Sequence, residues 1–435
     1  MYGPPPDPSQ HLVEAPLGAW VGSILLGLTA FFLGVYLLRA GSGWRPRVGL
    51  GLLTLGATAG LTAPMFGMIP VAILGSFPTI DKAGSLHFYR EGVHWHLLDP
   101  TNPGVQLIGV HLGHLWVVQA FALLLPDWAG FNAESFLNLW LAWWCTGAWL
   151  LGRIRAKNGL STGSLAVAVL LGIPFALNLH QFRDINWYTV EKTAIFVLPL
   201  WLSCVAGGRA WACAGVGALA MFLNVYMGIL IAAMGAWMAF VAVVSGRRVE
   251  LTPRIQLIAA TALGMLPFVV WQGVLMRGAH APGSPEQFLT ERACLDVVSV
   301  VPWTWNRLEG WRAMNPCVLA LAGVWVYGEL IWRRSLLTIA GCAVAIVVAL
   351  GPAHNPVYMA LFDLVPGFWR VAKPETFFYV PWLLMVTGAA EVLGSFLLSR
   401  RALIAFAAIW LTGWAWGVRA HPVYPEFYSQ PPAAR

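Results

Sequence analysis

The densest run of chemically capable side chains is FPTIDKAGSLHFYREGVHWHLLDPTNPG, which brings Asp81, His87, Arg90, Glu91, His94, His96 and Asp99 into one short segment. A carboxylate in a fixed position can act as a general base when it lies within hydrogen-bond reach of the proton it takes. Asp81 and Asp99 are the candidates for that task. The alternative for each is an interfacial carboxylate solvated by water and headgroups. His94-x-His96 and His111-x-x-His114 have spacings that can ligate a metal, and the second pair would share one face of a helix. Imidazole suits zinc, copper or iron, whereas carboxylate oxygens suit magnesium or manganese. Histidine also suits a membrane interface, with its apolar body and polar tip, so His94 and His96 stand between metal ligands and belt residues.

Two further patches carry usable groups. HQFRDINWYTVEK interleaves Arg183, Asp184, Trp187, Tyr188 and Glu191. Aromatic rings alternating with hydrogen-bonding groups fit a sugar or headgroup site, or an aromatic belt with interfacial charges. LVPGFWRVAKPETFFYVP sets Arg370 and Lys373 just before a late apolar run. There the two cations could clamp a lipid phosphate, or snorkel toward the interface. Cys294 and Cys317 could bridge in an oxidising compartment. Cys145, Cys204, Cys213 and Cys342 fall inside apolar runs and read as packing. The sequence holds no phosphate-binding glycine loop, GxSxG elbow or HExxH pair, so nothing points to an ATPase or a protease.

The elements that must position these groups are membrane helices. The chain has 435 residues, of which 58% are hydrophobic and 10% charged. Soluble domains carry about 25% charged residues, so an ordinary water-soluble fold is excluded. A spanning helix needs about 20 largely apolar residues. Such stretches occur at 17–38, 48–75, 135–152, 162–178, 190–206, 211–226, 228–245, 255–275, 316–332, 335–351, 376–398 and 402–418. The fold class expected is therefore all-α, a polytopic transmembrane bundle of about twelve spans. The net charge of +7 reports topology and not a nucleic-acid partner. Arg39, Arg45 and Arg47, then Arg153, Arg155 and Lys157, then Arg209, Arg247 with Arg248, Arg333 with Arg334, and Arg400 with Arg401 all fall on one face if both termini lie outside the cytoplasm. Counting 104–126 as a further crossing would break this pattern. It reads as an interfacial or re-entrant helix on the outer face. External loops then run over 76–134, 179–189, 276–315 and 352–375. On this topology 16 of the 19 carboxylates fall on the outer side, in these loops, the tails or external helix ends, the exceptions being Glu250, Glu329 and Glu391. No ion pair at mid-membrane is evident, which disfavours a transporter.

The order of segments resembles a known family. An acidic loop after an early span leads to LIGVHLGHLWVVQAFALLLPDWAG. Then come FNAESFLNLWLAWWCTGAWLLGRIRAKNG, LGIPFALNLHQFRD, TVEKTAIFVLPLWL and, late, LVPGFWRVAKPETFFYVPWLL. This progression is similar to the GT-C superfamily of multispanning glycosyltransferases, in particular its bacterial branch with an R-x-P-x-R-F-like element before a late span. The resemblance covers 48–398, leaving 1–47 as an external tail with an additional first span and 399–435 as a last span with an external tail. It implies a catalytic carboxylate in the first external loop, matched by Asp81 with Asp99 as second candidate. It also implies a polyprenyl-phosphate-sugar donor, transfer on the outer face of the inner (cytoplasmic) membrane and, in many members, a divalent metal such as magnesium or manganese. Arg370 matches the first arginine of the late element, whereas its second arginine is missing. The first loop has no Asp-x-Asp or Asp-Asp pair. Two functions follow as expectations: a membrane glycosyltransferase, or an inactive scaffold of the same type serving as a subunit among other membrane proteins.

Overall fold

The structure, a computed structural model, describes residues 17–39, 44–59, 127–158, 162–177, 194–244, 248–277, 316–333, 336–350, 379–396 and 399–420, with single positions between 113 and 125. Among the described residues all regular structure is helical. We label the helices α1 (Leu17–Arg39), α2 (45–59), α3 (Asp127–Asn158), α4 (Thr162–Leu177), α5 (Val197–Ala206), α6 (Ala210–Leu223), α7 (Val225–Val244), α8 (Arg248–Arg277), α9 (Pro316–Tyr327), α10 (Leu336–Leu350), α11 (Tyr379–Phe396) and α12 (Arg400–Ala420). α9 continues into a π-helical turn, Gly328–Arg333. A helix occupies each apolar stretch named above. Four are long and apolar enough to cross a membrane: Val21–Arg39, Met227–Val244, Leu251–Trp271 and Tyr379–Phe396. Helices of this length and composition place the chain in a lipid bilayer.

The outer helices confirm that environment. α1 exposes Leu25, Leu26 and Phe32, and α8 exposes Leu263, Leu266 and Val270. In water such faces would drive aggregation; in lipid they need no cover. The helices therefore cannot be sorted by hydrophobicity alone, and close backbone approach takes over. α1 and α2 run antiparallel across a glycine seam. A Cβ on Gly49 would come within 2.9 Å of the Gly34 carbonyl oxygen, and one on Gly27 would meet Ala59 at 2.9 Å.

α3 is the hub. Its Trp140 and Trp144, one turn apart and stacked at 5.4 Å, face α2. Trp140 Nε1 donates to the Gly51 carbonyl at 2.9 Å and Trp144 Nε1 to the Arg47 carbonyl at 3.0 Å. On another face Trp143 Nε1 donates to the Val169 carbonyl of α4 at 2.8 Å. From the far side of α4, Trp410 of α12 donates to the neighbouring Leu170 carbonyl at 3.0 Å. Trp201 of α5 reaches Thr261 of α8 at 3.0 Å. A buried indole N–H has no water to turn to, and a helix carbonyl has a second lone pair to offer. Three buried hydroxyls satisfy themselves locally: Thr54, Thr261 and Thr387 each donate to the carbonyl four residues earlier.

The helix ends differ from the apolar stretches in places. α3 begins at Asp127 and ends at Asn158, so 127–134 is helical where a loop is expected, and Arg153 lies inside the helix and not in the following turn. Backbone hydrogen bonding does not require apolar side chains, and cations are favoured in a last turn by the helix dipole. Asn224 alone separates α6 from α7, in extended backbone (φ −160, ψ 109). Gly208, at φ +64, closes α5; the left-handed conformation there is open to glycine at little cost. The reading of 104–126 as an interfacial or re-entrant helix falls largely outside the described residues. Gly113, which is described, lies against Phe222 near the end of α6.

The pairings also fix direction. α3 runs antiparallel to α2 and α4, and α11 runs parallel to α3. Arg39, Arg45, Arg47, Arg153, Arg155, Arg400 and Arg401 therefore gather at one end, called here the arginine end.

The indole contacts make a measurable prediction. Trp143→Phe and Trp410→Phe keep the aromatic packing and remove one donor each. Each should lower stability by about 0.5–1 kcal/mol, read as a lower Tm of the purified protein in detergent. Unchanged melting in both would show that packing alone holds α4 in place.

Candidate functional site

The eight residues singled out for chemistry, Asp81, Asp99, His94, His96, Arg183, Trp187, Arg370 and Lys373, lie outside the described residues. So does Cys294, while Cys145, Cys204, Cys213 and Cys342 are free thiols within helices. What the structure does give is where the segments bearing these residues join the bundle. The segment with Asp81 and Asp99 leaves α2 and returns into α3. The one with Arg183 and Trp187 leaves α4. The one with Arg370 and Lys373 enters α11. Because α2 and α4 run antiparallel to α3 and α11 runs parallel to it, all these junctions sit at the end opposite the arginines.

One junction is built with care. Ala194 adopts φ +63, the left-handed region that costs an alanine about 1–2 kcal/mol. Its N–H donates to Asn138 Oδ1 of α3 at 3.0 Å. Ala194, Ile195, Phe196 and Val197 are all buried. The chain that follows the second polar patch is thus pinned against α3 before α5 begins.

At the arginine end the structure reveals a polar group that sequence reading did not assemble. Glu391 of α11 is 1% exposed. Its Oε1 accepts from Arg153 Nε of α3 at 2.8 Å. The Arg153 guanidinium also lies over the Trp149 ring, 5.5 Å from its centroid, a cation–π geometry. One turn along, Trp149 Nε1 donates to Thr387 Oγ1 at 2.9 Å. Ser395 donates to the Glu391 carbonyl at 2.9 Å. Glu329, also 1% exposed, sits in the π-helical turn; its neighbour Gly328 packs against Val392 of α11. A signal was present: Trp149 and Arg153, and Thr387 and Glu391, are each four residues apart. Such spacing puts each pair on one helix face. The pair lies at the arginine end, with Arg153 half-exposed, and not at mid-membrane. Arg153 was assigned to a turn, but the longer α3 carries it into the bundle.

This arrangement locks two parallel helices in one register. Among the described residues no group of three or more His, Cys, Asp or Glu side chains converges as a metal set would. Comparison with known protein families, with curated proteins and with solved structures finds no match to this chain.

Two substitutions follow. Arg153→Met leaves a buried carboxylate without its cation and should cost about 2–3 kcal/mol, less than for a fully buried pair because Arg153 is half-exposed. Adding Glu391→Gln should recover most of that loss, and a double-mutant cycle from denaturation in detergent measures the coupling. Equal losses that simply add would show that the pair is not a lock. Ala194→Gly should be neutral or stabilising by up to about 1 kcal/mol, because it relieves the left-handed strain. A clear loss of stability would mean that the Ala194 methyl packs more than its backbone costs.

Proposed function

We propose that the chain is a membrane-embedded glycosyltransferase of the GT-C type. In this reading all twelve helices cross the bilayer and the arginine end faces the cytoplasm. Sugar transfer takes place at the opposite, outer face, with both termini extracytoplasmic. The observation that carries the reading is the shared end at which the segments bearing Asp81, Arg183 and Arg370 join the bundle. Segments far apart in sequence thus join the bundle at one end, and in this reading that end faces the side where the sequence gathers most of its carboxylates.

The chemistry is a displacement at the anomeric carbon. Asp81 takes the proton of an acceptor hydroxyl, whose oxygen forms a bond to that carbon as the bond to the polyprenyl phosphate breaks. The leaving phosphate keeps the electron pair, and Arg370 with Lys373 stabilises its charge. Trp187 offers a face for the sugar ring, and Asp99 is the second candidate base. A magnesium or manganese ion held by carboxylates would add positive charge at the phosphate. His94 and His96 are the alternative ligand pair.

A second reading is supported by a specific feature of the sequence. The first loop lacks an Asp-x-Asp or Asp-Asp pair, and the late element lacks its second arginine. A scaffold of the same architecture, without activity and docked to other membrane subunits, accounts for both.

Activity separates the two readings. Asp81→Asn and Arg370→Ala should each lower sugar transfer from polyprenyl-phosphate donors by about 10²-fold or more in isolated membranes, with expression unchanged. Full activity in both variants overturns the assignment of these residues. An absence of transfer by the parent chain across a panel of such donors favours the scaffold. Orientation has its own measurement: cysteines placed at Ser42 and Ser335 should resist an impermeant thiol reagent added outside, and one at Ser284 should react. Outside labelling of the first two would reverse the topology.

A further inference from the structure

We infer that the arginine end is a binding surface for anionic lipid headgroups, built around the end of α3 from the first turns of α2 and α12 and the last turn of α1. Arg39, Arg45, Arg47, Arg155, Arg400 and Arg401 are all exposed there. Among the described residues none of these six guanidiniums meets a carboxylate. Glu329 and Glu391, the carboxylates of the π-helical turn and of α11, are each 1% exposed and belong to the bundle interior. Among the described residues of α1, α2, α3 and α12 the patch is therefore strongly positive.

Its positions argue against a role in folding. Arg45 and Arg47 occupy the first turn of α2, and Arg400 and Arg401 open α12. A helix N-terminus carries partial positive charge from its unpaired N–H groups, so a cation there is disfavoured within its own helix. Ser399 supplies the cap that α12 needs: its Oγ accepts from the Ala402 N–H at 3.1 Å. The arginines add repulsion and no cap. An external anion reverses the sign, because guanidinium and helix dipole then act on it together.

The occupant is lipid for two reasons. Trp44, 65% exposed, stands beside Arg45 as an interfacial anchor stands beside its cations. The patch is also continuous with the lipid-facing side of α1, where Phe32, Leu33 and Tyr36 are exposed. A phosphate seated on the arginines would have its acyl chains along that face. Each arginine near an anionic surface contributes substantially to such binding.

The test uses the full chain, purified in detergent and delipidated, titrated with phosphatidylglycerol or with phosphatidylcholine, with lipid retention read by native mass spectrometry. Phosphatidylglycerol should be retained preferentially, and salt should weaken that preference. The variant Arg45→Gln/Arg47→Gln/Arg400→Gln/Arg401→Gln should reduce the preference at least about 100-fold, and the corresponding four-lysine variant should keep most of it. If the glutamine variant does not fold, the salt dependence of the unmodified chain decides instead. Equal retention of the two lipids, a preference insensitive to salt, or full competition by inorganic phosphate would overturn the inference.

Discussion

An indole N–H buried away from water gains by finding an oxygen, and in a chain with 24 tryptophans that gain shapes the bundle, although Trp271 and Trp325 bury theirs without one among the described residues. Lipid is as apolar as leucine, so burial of apolar surface gives little reason for one helix order over another. Directional bonds supply the reason. Four indoles donate to backbone carbonyls of a neighbouring helix, and two more donate to threonine hydroxyls across an interface. α4 shows the effect most clearly, since adjacent carbonyls at Val169 and Leu170 receive donors from α3 on one side and α12 on the other. Carbonyls are fixed by the backbone, so these contacts specify height along the helix as well as neighbour.

Charge then completes what the indoles begin. The Arg153–Glu391 pair and the Trp149–Thr387 bond have the same sequence offset, so α3 and α11 are parallel and in register over at least one turn. That register decides which helix ends meet. It sends the exposed arginines to one end and the junctions of the polar segments to the other. A bundle ordered only by glycine seams, as α1 and α2 are, would leave such an assignment softer.

Much of the architecture was legible in the sequence because helices in a bilayer are written as long apolar runs. The described part of every such run is helical, and the arginines between the first and second, the third and fourth, and the last two runs gather at one end. The ends were less legible. Asp127 and Glu134 look like loop residues, yet α3 continues through them, since hydrophobicity marks what lies in lipid and not where a helix stops. The ion pair was missed for the same reason: Arg153 stands just beyond the apolar run and reads as a turn. The indole network was hidden more deeply. Tryptophan serves as belt, packing or donor with the same composition, and only the neighbour's carbonyl distinguishes them. Of the candidate site, the sequence alone speaks for Asp81, Arg183 and Arg370. The left-handed Ala194 that anchors one of their segments has no signature at all, because nothing in an alanine announces its φ.

The parallel pairing of α3 with α11 has a consequence in time. Arg153 and its partner are 238 residues apart. At about 5–20 residues per second, synthesis of the intervening chain takes roughly 12–48 s. Throughout that interval α3 is inserted with a guanidinium that has no counter-ion from its own chain, over a Trp149 ring and within reach of the headgroups. The nascent protein must therefore persist as a half-assembled bundle, its hub exposed, until α11 emerges. The half-exposed setting of Arg153, which weakens the finished ion pair, is what makes that wait tolerable: the charge can stay hydrated until Glu391 arrives.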